Sequence, residues 1–566
     1  MNAGQPHYPD FANPDLLEKI PLSARTILDV GCGHGALGAA YLRRNPTARV
    51  LGIDRDEAAI AQAAGRITEA FCGDVEQTPM PFVVPDGIDC IVYGDVLDQL
   101  SDPWKLLAEH AKHLSARGSV LVCMPNVEHW TFAGRLLTGN FDYEEIGLFD
   151  RAHLRWFTAR TMGRALAAAG LELCDLAPRP FPAEQAERFV AMLAPGLQAI
   201  GVDPAEYLNR AAPLQFIWRA QKSVVERMEI SATMLPPQGG VSDVRVVEPL
   251  RAMQTDSTIL TRIGEEGALA PGLPDAPRIA VLHRPLLMGQ SGLARVRALL
   301  DKGYVLVSEF DDHPSFMEDR GVNLEELLSF RAVHAVQTST PVLAEALRAQ
   351  NPEVGMFPNA IFELPPVRNF TSPEHLTLFF GAINRGADWA PLMPAINEVA
   401  RAVGARLRFH VMHDQAFFDA LETPFKKFDE MGDYAGYHLA LGNADIAFMP
   451  LADTQFNRAK SDLKFIEAGA ARVAALASDV VYGSVIQDGK NGLLFRDPME
   501  LRAGLLRLLA YPEATRRLGD AARTYVAAER MLAYQVAARA AWYRSLWARR
   551  EALTQALRQR EPDLFA

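Results

Sequence analysis

Residues 26–35 read Thr26-Ile27-Leu28-Asp29-Val30-Gly31-Cys32-Gly33-His34-Gly35, and ALGAAYLRR follows at 36–44. A mostly apolar run enters three alternating glycines and then a helical pattern. Glycine adopts positive φ without strain and lets backbone come close to a ligand. The stretch therefore predicts a buried strand, a tight turn and a helix, the opening of a parallel α/β sheet. Outward from it the alternation continues. RVLGID (49–54), IDCIVYGD (88–95) and SVLVCMP (119–125) read as further buried strands, with DEAAIAQAAGRI (56–67) as a helix among them. TARTMGRALAAAG (158–170) reads as a helix ending at Gly170, and PLQFIWRAQK (213–222) as a closing strand.

The Pro- and Gly-rich ATMLPPQGGVSDVR (232–245) breaks the pattern and predicts a boundary near residue 225. A second block then opens with RIAVLHRP (278–285), YVLVSEFDD (304–312) and AVHAVQTST (332–340). The loop FELPPVRNFTSPEH (362–375) leads to a third, with LTLFFGAIN (376–384), RLRFHVMH (406–413), ADIAFMPL (444–451) and RVAALAS (472–478). The rear half thus predicts two α/β lobes hinged near 362–375, and the expected divisions are 1–225, 226–368 and 369–566. A chain of 566 residues, 49% hydrophobic, is long enough for three such cores.

A net charge of −12 speaks against a general nucleic-acid binder. The five cysteines, Cys32, Cys72, Cys90, Cys123 and Cys174, form no CxxC pair. So odd and scattered a set argues against a disulfide framework or a zinc site, and a reduced cytoplasmic protein without a metal is expected. The first residues, MNAGQPHYPDF, show no secretory pattern, and no uncharged apolar run reaches the roughly 18 residues of a membrane span.

The acid before the glycines narrows the ligand. A pyrophosphate-binding G-x-G-x-x-G turn requires no acid there, and a carboxylate would repel phosphate. Asp29-x-Gly31-x-Gly33-x-Gly35 suits a ligand with an ammonium group and no phosphate, such as S-adenosylmethionine (SAM). Asp54 ends the second strand, about twenty residues on, where an acid can hold both ribose hydroxyls. In Gly73-Asp74-Val75 the carboxylate suits an adenine amino group, and Asp95 ends the fourth strand facing the sulfonium region.

These four pieces, in this order, resemble the class I SAM-dependent methyltransferases over roughly residues 15–222. Met124-Pro125-Asn126-Val127-Glu128-His129-Trp130 and Asp150-Arg151-Ala152-His153-Leu154-Arg155-Trp156-Phe157-Thr158 resemble the branch found with surface-polysaccharide biosynthesis. That likeness implies methyl transfer to a sugar hydroxyl, with Asn126 and Arg155 toward the acceptor. Oxygen methylation gains from a base near neutral pH, and histidine suits the role. His153 or His129 is the expected base, with Asp150 orienting it. Related enzymes often carry Glu-His after the fourth strand where this chain has Asp98-Gln99, which leaves the acceptor class open.

In the rear half, Lys460, Lys464 and Glu467 fall at spacings of four and three, so a helix would carry them on one face. Two cations suit a diphosphate and the acid suits ribose hydroxyls. Arg385, after LTLFFGAIN, could reach the same diphosphate. With Asp488-Gly489-Lys490-Asn491-Gly492-Leu493-Leu494-Phe495, expected as a hairpin, these residues resemble GT-B glycosyltransferases of the family 4 type over roughly 228–545. The likeness implies a nucleotide-sugar donor in the rear lobe, a glycan or glycolipid acceptor in the front lobe, retention of configuration and no metal. The family's first motif glutamate is Ala459 here, which puts the usual sugar contact in doubt. Asp311, Asp312 or His313, which follow a strand toward the cleft, could touch the acceptor or transferred sugar, and Asp312 is the expected catalytic residue of this half.

The tail, 521–560, predicts a long helix with Tyr525, Tyr534, Trp542, Tyr543 and Trp547 among arginines. It reads as a brace across the front lobe, with a membrane-surface helix at the inner face as the alternative. The expectation is a two-enzyme fusion that transfers a sugar and methylates a sugar hydroxyl. Two alternatives stand beside it: an active methyltransferase with a non-catalytic glycan-binding module, and a methyltransferase for a quinone-like phenol. Oligomeric state is not legible.

Overall fold

Strands that are apolar on both faces need helices on both faces to cover them, and this requirement organises the whole chain. The computed structural model describes residues 10–179, 183–223, 226–234, 240–264, 269, 276–318, 321–368, 374–430 and 432–566. The boundary expected near residue 225 and positions 369–373 of the expected hinge lie outside these residues. The chain divides into two compact units, Met1–Glu226 with Thr255–Thr258, and Arg227–Gln254 with Ile259–Ala566.

The first unit holds β1 (Thr26–Val30), β2 (Arg49–Asp54), β3 (Glu69–Cys72), β4 (Ile88–Gly94), β5 (Leu114–Pro125), β6 (Glu172–Arg179) and β7 (Gln215–Gln221). Their order is β3-β2-β1-β4-β5-β7-β6, parallel except for β7, which runs antiparallel to both neighbours. This is a Rossmann-like sheet of the methyltransferase type. Alternate residues feed two cores. Leu28, Leu51, Ile91 and Val122 pack on one face, and Ile27, Val50, Cys90 and Leu121 on the other.

The second unit holds two six-stranded sheets, the two Rossmann-like lobes of a GT-B fold. The front lobe has β8 (Met228–Thr233), β9 (Ile259–Ile263), β10 (Arg278–His283), β11 (Val305–Glu309), β12 (Ala335–Thr338) and β13 (Val354–Met356), ordered β13-β12-β11-β10-β8-β9. The rear lobe has β14 (Leu376–Gly381), β15 (Leu407–Met412), β16 (Lys426–Asp429), β17 (Ile446–Met449), β18 (Ala474–Ser478) and β19 (Leu493–Phe495), ordered β16-β15-β14-β17-β18-β19. All pairs in both sheets are parallel.

Three local expectations are corrected. Lys460 is not on the helix of Lys464 and Glu467. That helix is Leu463–Ala470, and Lys460 sits in the turn after the short helix Gln455–Arg458. The Asp488 segment is a loop closed by an Asp488–Gly492 bridge, with Gly489 at φ 74°, and it leads into a parallel edge strand rather than a hairpin. The tail breaks into Pro512–Glu529, Val536–Ala548 and Arg550–Arg560. Its aromatic face is covered by protein. Trp542 packs 5.4 Å from Phe357, the Tyr543 hydroxyl donates to Gln337 at 2.6 Å, and Leu557 and Leu564 join the front-lobe core.

Candidate functional sites in the two units

In the first unit, Asp29, the glycine turn, Asp54 and Asp95 gather at the carboxyl ends of β1, β2 and β4, where ligands sit in open α/β sheets. Gly31, Gly33 and Gly35 take φ of 72°, 51° and 74°. A Cβ at Gly31 would lie 2.2 Å from Val96 Cγ2, so the turn is packed as closely as glycine allows. The Gly33 amide donates to Asp54 Oδ2 at 2.9 Å and the Asp56 amide to Oδ1 at 3.0 Å, which fixes the Asp54 carboxylate beside the turn.

Asp29 is buried, and burial with the nearby Asp54 pushes its carboxyl up to about 7. Burial and Asp98 push Asp95 up to about 7 as well. Asp95 stands at φ 55°, an unfavourable backbone for a non-glycine residue, and accepts from Gln215 Nε2 at 2.6 Å. Buried acids clustered with other acids make a site whose charge a cationic ligand would balance. Asp74 is exposed, and the Glu76 amide and Gln77 side chain occupy its two oxygens.

Around the expected acceptor region the structure revises the side-chain roles. Asn126 is fully buried. Its Nδ2 donates to the Arg210 and Pro213 carbonyls and its Oδ1 accepts from the Glu128 amide, so it holds backbone and has no polar atom to offer a substrate. Arg155 is likewise committed, donating from Nε and Nη2 to the Ser101 carbonyl. Asp150 Oδ1 caps the turn at the Ala152 amide, and it is Asp98 that faces His153. His153 Nε2 lies 3.2 Å from Asp98 Oδ2, a close contact outside hydrogen-bond alignment. On its other side Nδ1 lies 3.2 Å from the Leu148 carbonyl. Burial pushes Asp98 up to about 7. His129 bonds the Thr131 hydroxyl through Nδ1 at 2.8 Å, and burial pulls it down to about 4, a weak base at neutral pH.

In the second unit a cavity of about 510 Å³ between the lobes is lined by Arg385, Lys460, Lys464 and Glu467 from the rear lobe, and by Asp311 and Asp312 from the front. The structure therefore brings together all four residues expected to bind the donor. Burial brings Lys464 down to about 8, and its Nζ donates to the Gly381 carbonyl. Glu467 is held by the Tyr434 hydroxyl at 2.7 Å. Arg385 donates to Asn457 at 2.8 Å and to Asp388 at 3.1 Å. Asp312, the expected catalytic residue, is paired on both oxygens, with Lys460 at Oδ1 and Arg284 at Oδ2 (2.9 Å). His313 turns to Ser315 at 2.8 Å.

The sequence reading missed Asp98 as a partner of His153, Tyr434 as the support of Glu467, and His283. The last ends β10 within RIAVLHRP, and its place at a strand end was the available signal. Among the described residues no group of three or more His, Cys, Asp or Glu is placed to hold a metal, and no helix is long and apolar enough to cross a membrane.

Residues 9–176 match a family model described as a methyltransferase domain. Trans-aconitate 2-methyltransferase of Afipia carboxidovorans is 33% identical over 113 residues, which is 20% of this chain and 43% of that enzyme. Its counterpart from Azoarcus sp. is 31% identical over 112 residues, 20% of this chain and 44% of the enzyme. The chain thus spans less than half the length of these relatives. Among solved structures, a variant of S. aureus TarM in complex with fondaparinux, α-GlcNAc-glycerol and UDP is 12% identical. It covers 47% of this chain and 55% of that one at a TM-score of 0.37. The cyclase SpnF is 22% identical, covering 38% and 80% at a TM-score of 0.25. These overlaps are too partial to bear on the reaction.

Proposed function

We propose that the chain is a bifunctional enzyme of surface-glycan biosynthesis. On this reading, residues 1–225 methylate a sugar hydroxyl with SAM, and 226–566 transfer a sugar from a nucleotide donor. The donor would bind the rear lobe (369–566) and the acceptor the front lobe (226–368). The observation that carries the methyl-transfer half is the cluster of acids around the glycine turn, a charge pattern that fits an ammonium and a sulfonium together. Asp29 would hold the ammonium and Asp54 the ribose hydroxyls. SAM supplies an electrophilic methyl group when bound. The acceptor hydroxyl gives its proton to the Asp98–His153 pair. His153 Nδ1 faces a carbonyl and so carries a hydrogen, which leaves Nε2 and Asp98 to hold the transferred proton.

The convergence of Arg385, Lys460, Lys464 and Glu467 on one cavity supports the second half. The bond from the anomeric carbon to the diphosphate oxygen breaks, and its electron pair leaves on the diphosphate. The bond to the acceptor oxygen forms, and the acceptor proton passes to the departing phosphate. Cations gathered at the cleft stabilise that charge without a metal. A non-catalytic glycan-binding second half, motivated by Ala459, is the competing reading.

Calorimetric titration of the whole chain tests both halves. S-adenosylhomocysteine is expected to bind and to weaken at least tenfold in Asp54→Ala. UDP or GDP is expected to bind and to weaken at least tenfold in Lys464→Ala. Failure of S-adenosylhomocysteine to bind would sink the methyl-transfer reading. Failure of every nucleoside diphosphate to bind would leave the glycan-binding module as the account of the second half.

A further inference from the structure

We propose that a second, apolar cavity beside the cleft receives an apolar portion of the acceptor, while His283 hydrogen-bonds the acceptor's hydroxyl. The inference rests on the glycosyl-transfer reading above and adds the chemical class of the acceptor: a sugar or polyol carrying a hydrocarbon group. This cavity, about 600 Å³, shares His283, Arg284, Asp312 and Phe316 with the donor cleft. Beyond that shared rim its wall includes Pro285, Leu286, Phe310, Met317 and Val322. Such a wall suits hydrocarbon better than a bare, fully hydrated glycan.

The polar groups at the shared rim are unequal. Arg284 donates to Asp311 at 2.7 Å and to Asp312 at 2.9 Å, and Asp312 also meets Lys460. His283 is 3% exposed, yet neither ring nitrogen has a hydrogen-bond partner among the described residues. Burial lowers its pKa, so the ring stays neutral, with one N–H and one bare nitrogen. Leaving such a ring unpaired costs stability, and structures keep buried polar groups of this kind at sites of function. A hydroxyl, which donates and accepts at once, satisfies either nitrogen. The ring ends β10, and Arg284 follows it at φ 46°, a strained backbone of the kind found at binding sites.

The test titrates the full-length protein with ethyl and n-octyl β-D-glucosides and galactosides, below the micelle concentration of each, alongside UDP and GDP. Octyl glycosides are expected to bind at least tenfold more tightly than ethyl glycosides. The double variant Met317→Ser, Val322→Ser, at partly exposed positions, is expected to erase that preference. His283→Phe keeps the ring shape and is expected to weaken octyl-glycoside binding at least tenfold without lowering Tm. Equal affinity for short and long chains, or a preference that survives the double variant, overturns the apolar subsite. A lowered Tm in His283→Phe with binding unchanged overturns the contact role of His283. Nucleotide binding without a chain-length preference counts against this inference alone, whereas failure of nucleotide binding counts against the reading beneath it.

Discussion

At the scale of single residues, the proposed methyl transfer rests on buried carboxylates. Asp29, Asp95 and Asp98 have an ordinary value of 3.8 and stand near 7 in the fold, mainly through burial. The folded protein therefore holds protons that the unfolded chain releases between about pH 4 and pH 7, and the unliganded fold loses stability as pH rises through that window. A ligand bearing an ammonium reverses the sign at Asp29, because it favours the ionised carboxylate. S-adenosylhomocysteine should bind more tightly at pH 8 than at pH 6 and should release protons at pH 7. Calorimetry in two buffers of different ionisation enthalpy measures that release. In Asp29→Asn binding should weaken and most of the release should vanish; a release unchanged in this variant would show that Asp29 does not meet the ammonium.

At the scale of elements, both sites stand at the carboxyl ends of parallel strands, on turns that strain the backbone. Asp95, Arg284, Asn384 and His413 take positive φ just beyond β4, β10, β14 and β15. The last three line the cleft between the two lobes of the second unit. The helix Leu463–Ala470, which carries Lys464 and Glu467, is held from behind by Pro512–Glu529. Gly469 lies against Val526 and Ala522, and a Cβ at Gly519 would come within 2.1 Å of the Arg472 carbonyl. Gly519→Ala must then push Pro512–Glu529 away from the turn that follows Leu463–Ala470, at a cost of about 2 kcal/mol as for other overpacked sites. Because that turn ends the helix carrying Lys464 and Glu467, which are proposed to bind the donor, nucleotide affinity should fall along with stability. Denaturant titration and nucleotide titration of the same sample check both, and a loss of stability with affinity intact would separate the helix from the site. Further along, the Tyr543–Gln337 hydrogen bond and the Trp542 contact tie the tail to the front lobe.

At the scale of the whole molecule, the chain holds two compact units, each with its own sheets and cores. Units with separate cores unfold as separate steps, so a single two-state transition is not expected. A ligand bound to the native form raises the stability of what it binds by an amount set by its concentration relative to Kd. Scanning calorimetry should show two transitions, one raised by S-adenosylhomocysteine and the other by UDP or GDP. A single transition raised by both ligands would mean that the two sites are thermodynamically one. Linkage of two transferases on one chain raises the local concentration of one product at the other site, which is the physical advantage such a fusion would give.

Much of the fold was legible in the sequence because it rests on short-range rules. Apolar runs of five to seven residues, glycines at alternate positions and regular alternation with helical stretches dictate parallel α/β sheets wherever they occur. The strands β1, β2, β4, β5, β7, β10, β14 and β15 lie where their apolar runs predicted, and the acid-before-glycine turn is local enough to read directly. The edge strands β3, β9, β13 and β16 are short or partly exposed and gave no comparable signal. Partners across the fold were beyond reach of spacing. That Asp98 rather than Asp150 faces His153, that Asn126 holds backbone, that Asp312 is paired twice and that His283 is buried without a partner among the described residues all depend on chain segments far apart in sequence. Sequence periodicity determines which face of an element is buried; only tertiary packing decides which polar groups meet there, because hydrogen bonds and ion pairs are set by distances of a few tenths of an ångström.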